Sequence, residues 1–331
     1  MIHCCDNPVL AERGLGAALM YAKIAPASAH ANHMPSHLFT RVGSWDESIA
    51  SNTKSAGLAA AEATSANGEA RDQRLHAMDY QEYADLQSGR IKQAKAMLEE
   101  MNALPPVTGL TLTGGYALAA IPARYATELG DWEQASHLSV QEEGVLWAQA
   151  ITWAAIGIGS ARTKNLDRAR QAEQKLATLR DAITKQDNSY WSDQVEVQRR
   201  EVAAWIAEGN GKSADALQLA RSAAKLEESM DKAAVTPGAI TPAREMLAEL
   251  LLLEHRPQEA LAEYQYVLKI TPNRFNALYG AANATEAAAD PVAARQYFRK
   301  LTEVAVGNER PELAAARKKL VSAEKATVER P

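Results

Sequence analysis

Five of the seven histidines fall within the first 76 residues, as His3, His30, His33, His37 and His76. Imidazole changes charge near neutral pH and is the commonest nitrogen ligand for transition metals, so chemistry is concentrated at one end of the chain. His33 and His37 stand four apart, which puts both rings on one face of a helix. Such a pair with a carboxylate nearby is what Zn²⁺ or a similar divalent ion takes. Asp79, three residues after His76, offers that carboxylate, so His3, His33, His37, His76 and Asp79 are candidate metal ligands. Two other readings stay open: rings that donate to carbonyls or carboxylates of a neighbouring helix, and a patch that binds a carboxylate or polar peptide of a partner. The run His33-Met34-Pro35-Ser36-His37 has the spacing of a zinc-protease helix, but Met34 stands where the general-base glutamate belongs. Pro35 also starts or kinks the helix between the two rings. No Ser/His/Asp set and no carboxylate pair can be assembled elsewhere. No catalytic residue is assigned, and a non-enzyme is the favoured reading.

The elements that position these residues are announced by a recurring turn. Gly43 to Ser48, Gly89 to Ala94 and Gly130 to Ala135 share a glycine, an aromatic or aliphatic residue two places on, and a small residue five places on. The glycine stops one helix and the polar residues after it cap the next. Looser versions end at Ala169, Ala216, Ala260 and Ala294, which gives about seven irregular helical hairpins. Helices are expected near 8–23, 29–43, 45–65, 72–88 and 90–103, with a polar loop at 66–71 and a break at Leu104-Pro105-Pro106. Further helices are expected near 110–129, 131–141, 145–162, 165–186, 189–208 and 211–230. A loop from Ala233 to Pro242, around Pro237-Gly238, precedes two regular hairpins over 241–305 and a charged last helix from Pro311. The chain divides into an N-terminal part (1–104) with the histidines, a middle part (105–232) and a regular C-terminal part (233–331). Counting back 11, 15 and 18 residues from Ser48 reaches His37, His33 and His30, and from Ala94 it reaches Tyr83, Asp79 and His76. Equal offsets on successive first helices put these six side chains on adjacent rungs.

Near the C-terminus the period is explicit: Ala248, Ala260 and Tyr264 are followed 34 residues later by Ala282, Ala294 and Phe298. Small residues let paired helices approach, the aromatic fills the gap beside the alanine, and neighbouring pairs must stack to bury their apolar faces. With these residues the sequence resembles the tetratricopeptide-repeat (TPR) family. The resemblance implies an all-α fold, an α-α superhelical solenoid of helical hairpins, whose concave groove binds a protein or peptide partner. It implies that His30, His33, His37, His76, Asp79 and Tyr83 line that groove. Ile2-His3 with Asp6, Tyr21 to Pro26, His33 to Phe39 and His76-Ala77-Met78-Asp79-Tyr80 further resemble a largely uncharacterised bacterial TPR subgroup with histidine motifs in this order. Members of that subgroup usually extend upstream of Ile2-His3, which implies that this sequence starts inside the array.

Composition narrows the classes. With 47% hydrophobic residues but only 3 Phe, the apolar surface comes from Ala and Leu, both strong helix formers. A net charge of -5, with signs interspersed, lacks the basic stripe that nucleic acid requires. Cys4 and Cys5 are adjacent and cannot bridge without strain, which fits a reducing, cytoplasmic compartment. The longest apolar run, Leu110 to Ala123, is too short to span a bilayer and contains Pro122. The six tryptophans sit at helix spacings and read as core. The favoured function is an interaction scaffold for a partner segment. The alternative is a metal-binding, possibly metal-dependent, protein with a divalent ion at the His/Asp cluster.

Overall fold

The computed structural model describes residues 2–62, 68–105, 111–142, 144–233 and 235–328. Among them every regular element is a helix. The N-terminal part holds α1 (Ile2–Cys5), α2 (Ala11–Ile24), α3 (Ala29–His33), α4 (Pro35–Val42), α5 (Trp45–Glu62), α6 (Gly68–Gln87) and α7 (Ile91–Ala103). The middle holds α8 (Leu112–Glu128), α9 (Trp132–Ser136), α10 (Leu146–Arg162), α11 (Leu166–Thr184), α12 (Ser189–Gly209) and α13 (Ser213–Glu228). The last helices are α14 (Ala243–Leu253), α15 (Pro257–Ile270), α16 (Phe275–Ala287), α17 (Pro291–Val304) and α18 (Pro311–Val328). No described helix is long and apolar enough to cross a membrane.

Each hairpin turn follows one rule. The residue five before the expected small position is left-handed in every case: Gly43, Gly89, Gly130, Lys164, Gly211, His255 and Ala289. The small residues Ser48, Ala94, Ala135, Ala169, Ala216, Ala260 and Ala294 are all buried. A left-handed residue reverses the chain, and a small side chain then lets the second helix lie against the first. Three departures from expectation have local causes. Residues 29–43 form two helices broken at Met34, with Pro35 at the first position of α4, where its missing N–H costs nothing. Residues 68–71 are helical because Ala70 packs into the core, while 66–67 of the expected loop, and 106–110 after it, lie outside the described residues. Helix α9 stops at Ser136, short of 141. The Ser136 hydroxyl and the His137 Nδ1–H both donate to the Glu133 carbonyl that the next helical amide would need.

Seven stacked hairpins bring the C-terminal units back onto the first two. The Trp45 indole donates to Asn273 O at 3.0 Å, the Asn273 amide donates to Gly43 O at 3.1 Å, and Val306 N donates to Ser88 O at 3.0 Å. Phe275 N donates to the Gln87 side chain at 3.0 Å. Arg274, 1% exposed, pairs with Glu128 at 2.6 Å and Glu245 at 2.8 Å and reaches the Tyr83 hydroxyl at 3.4 Å. A Cβ on Gly43 would collide with the Pro272 carbonyl, and one on Gly307 with the Gly89 carbonyl. Gly43→Ala and Gly307→Ala are therefore each expected to lower unfolding free energy by about 1–3 kcal/mol in urea denaturation. Gly57→Ala, whose added methyl meets nothing in the middle of α5, is the control and is expected to stabilise by about 0.5–1 kcal/mol. Equal behaviour of all three would contradict the close approach.

Candidate functional site

The break at Met34 ends α3 on His33 and starts α4 two residues before His37, and the two Nε2 atoms face each other at 3.0 Å. Both rings are buried, at 3% and 1% exposure. Helix α6 adds His76, whose ring centroid lies 4.3 Å from that of His33 and 6.0 Å from that of His37. One turn later Tyr80 closes the group, 4.9 Å from both His33 and His37. A ring nitrogen from each of His33, His37 and His76 falls within 4.8 Å of the other two.

Hydrogen-bond partners fix the tautomers. The Asn52 amide donates to Ser48 O at 2.8 Å, so its Oδ1 is an acceptor, and His33 Nδ1–H donates to it at 2.7 Å. His37 Nδ1–H donates to the Asp6 carboxylate at 2.9 Å. Each ring has spent its proton on Nδ1, so two Nε2 lone pairs point at each other. His76 Nδ1 is buried and without a hydrogen-bond partner. A proton between the rings would relieve the clash, but burial opposes it. Burial, with the Lys232 charge, brings the His37 imidazole down to about 4 against the pull of Asp6. Burial and the neighbouring imidazoles hold His33 well below its ordinary value, and burial with the His37 and Lys232 charges does the same for His76.

Asp6 anchors the far side of His37. Burial pushes its carboxyl up, yet the His37 hydrogen bond and the charges of Lys232 and Arg41 outweigh this and hold it below the usual carboxylate range. Arg41 Nε donates to it at 2.8 Å and Lys232 Nζ at 2.9 Å. Lys232 belongs to the irregular segment between α13 and α14, which lies against the inner helices. Its Nζ also donates to Thr236 O at 2.7 Å, as does the Tyr80 hydroxyl at 2.9 Å. Burial, opposed by Asp6, lowers the Lys232 ammonium to about 8.

Of the residues expected from the sequence, the structure brings His33, His37 and His76 together. His3 stands at their edge, exposed, with its ring 5.1 Å from that of His37, and His30 is exposed. Asp79 and Tyr83 are not in the cluster. Asp79 is fully buried with Glu82 against Arg124 of α8, and burial pushes its carboxyl up against the pull of that guanidinium. Tyr83 packs edge-on to Trp45 at 5.7 Å, beside Arg274. The reason is the rotation of α6, buried nearly all round: the 76/80 stripe meets α3 and α4, whereas the 79/82 stripe meets α8. Tyr80, Asp6, Asn52, Arg41 and Lys232 complete the site and were not singled out as site residues. Asp6 and Tyr80 do lie within the histidine motifs themselves, four residues from His76 in the case of Tyr80.

No family model matches the chain, and no curated protein does. Among solved structures it is similar to yeast Tom70, at 16% identity and a TM-score of 0.45, over 91% of this chain and 64% of that one. It is also similar to a tetratricopeptide repeat protein from Parabacteroides merdae ATCC 43184, at 12% identity and a TM-score of 0.34, over 84% and 98%. A third likeness is to the P58(IPK) TPR domain, at 14% identity and a TM-score of 0.34, over 97% and 95%. The all-α helical-repeat architecture rests on the seven hairpins themselves.

Proposed function

We propose that this protein binds a divalent transition-metal ion, of which Zn²⁺ is the type, through His33, His37 and His76. The observation that carries the reading is the pair of opposed Nε2 lone pairs, each fixed by a partner on the other ring nitrogen. Metal-bound histidines characteristically donate their second N–H to a carboxylate or carbonyl, which is the role Asp6 and Asn52 play here. The 3.0 Å between the nitrogens is close to the ligand–ligand edge of about 3.3 Å that a tetrahedral ion with 2.0–2.1 Å bonds needs. Three imidazoles leave one coordination position for water or another ligand. The test is titration of chelator-treated protein with Co²⁺, followed by the visible bands of a tetrahedral cobalt site. One equivalent is expected, with its loss in His33→Ala and His37→Ala. Absence of saturable binding, or equal binding by both variants, would refute the assignment.

A second reading has its own support. The chain's irregular segment 231–242, of which residue 234 lies outside the described set, is held by tyrosines of the inner helices. The Tyr116 hydroxyl donates to the Thr236 hydroxyl at 2.9 Å, and Tyr190 accepts from Ala233 N at 2.8 Å. An interior that holds irregular backbone by side-chain hydroxyls in this way suits a scaffold for a partner's segment. A captured partner is then expected to be lost in Tyr80→Phe/Tyr116→Phe, and retention would count against the inner face.

A further inference from the structure

Asp6 and Lys232, which back the imidazole cluster, also line a cavity of about 870 Å³, whereas His33, His37 and His76 do not. A space of this size takes a small organic molecule. One wall is aromatic: Trp147 and Trp191 stack with centroids 4.5 Å apart, Tyr116 lies 6.0 Å from Trp147, and Tyr190 stands edge-on to Trp191 at 5.1 Å. Two further lining residues offer acceptors with no donor. Glu201 is 2% exposed and its Oε1 has no hydrogen-bond partner, and neither has the Oε1 of Gln198. The charge acting on Glu201 is that of another acid, Glu227. Three other acids of the cavity are satisfied by the chain: Glu228 pairs with Arg244, Asp6 with Arg41 and Lys232, and Glu227 accepts from Ala243 N, while Asp231 is exposed.

Buried acceptors without donors are costly, and each calls for a partner. An anion would leave the unpartnered oxygens of Glu201 and Gln198 without a donor, as would a purely apolar molecule. A molecule with N–H donors, positive charge and an apolar body answers all three features, since aromatic faces also attract cations. We propose that this cavity binds an organic cation, a primary ammonium on an aromatic or alkyl body, with Glu201 as counter-ion, Gln198 as second acceptor and the Trp147–Trp191 wall against the body. This site stands apart from the metal reading. Burial, with the Glu227 charge, pushes the Glu201 carboxyl well above the usual range, so its protonated form, with an O–H bond, is favoured while the cavity is empty. Forming the ammonium–carboxylate pair breaks that O–H bond and sends one proton to solvent.

The experiment titrates the whole protein with 2-phenylethylamine, tryptamine and 1,5-diaminopentane as ammonium salts, and with neutral 2-phenylethanol. Calorimetry in phosphate and in Tris reads the proton. At least one amine is expected to saturate a single site with net proton release, and the alcohol to bind at least about tenfold more weakly. Glu201→Gln is expected to weaken the amine by about 10- to 100-fold with unchanged Co²⁺ stoichiometry. Should that variant fail to fold, proton release by the wild type and weakened binding by Gln198→Met decide. The proposal is overturned if all the amines fail, if the alcohol binds equally well, or if Glu201→Gln binds the amine like the wild type.

Discussion

Metal affinity is expected to stay nearly constant from pH 8 to pH 6 and to fall steeply only below about pH 5, as the depressed imidazoles finally take up protons. Three imidazoles with the ordinary value of about 6.5 would each lose a factor of ten per pH unit below it, about a thousandfold together by pH 5.5. Here burial brings His37 to about 4 and holds His33 and His76 well below their ordinary value, so the metal competes with few protons through that window. For folding, the sign is the same. Unfolded imidazoles bind protons that folded ones refuse, so their contribution to stability is present above about pH 6.5 and is lost as pH falls towards 4. Asp85 and Glu227, both pushed up by burial to about 7, work the other way and lose their contribution as pH rises through that value. Total stability against pH therefore mixes opposite slopes, and metal affinity is the cleaner readout. Competition with a chromophoric chelator at each pH measures it. A decline of about two log units between pH 6.5 and 5.5 would show that the rings titrate as free imidazoles and that the buried cluster is wrong. Asn52→Leu, which removes the acceptor orienting His33, is expected to weaken the metal by about 10- to 100-fold.

Arg124→Ala is expected to destabilise the fold by about 3–5 kcal/mol, because it strands two acids in a place water does not reach. Arg124, Asp79 and Glu82 are each fully buried. The group is incompletely satisfied even when intact: Asp79 Oδ2, Glu82 Oε1 and the Arg124 Nε and Nη2 find no hydrogen-bond partner. Such a cluster contributes little net stability compared with apolar residues of like volume, so only its partial removal is harmful. The triple variant Arg124→Met, Asp79→Leu, Glu82→Met is expected to recover most of the loss, within about 1–2 kcal/mol of wild type in urea denaturation. It is also expected to keep one equivalent of Co²⁺, since Asp79 is turned away from the imidazoles. Loss of cobalt by a well-folded triple variant would restore Asp79 to the site.

The turns were legible because a hairpin reversal depends on a handful of neighbours. Even Lys164, His255 and Ala289, with side chains that disfavour left-handed backbone, take it where the spacing to the next alanine demands it. The three central histidines were legible by type and by the i, i+4 rule. Their true company was less so. A one-residue change of register turns a helix by about 100°, which is enough to exchange Tyr80 for Asp79 as the neighbour of His33. The interruption at Met34 adds to that shift. Lys232 could not be found from spacing, since it arrives on a segment without period, 226 residues from Asp6. Trp147 and Trp191 read as core, and part of what they pack against is a cavity rather than a helix.

The contact of Trp45 and Gly43 with Asn273 changes how the molecule should come apart. In an open stack each unit is held only by its neighbours, so the terminal ones fray first and melting runs inward step by step. Here the hairpin of α4 and α5 is clasped by the chain leading into α16, so neither of these two hairpins can fray alone. Unfolding should be concerted, with amides of α5 and α16 exchanging with solvent at the same free energy as those of α10.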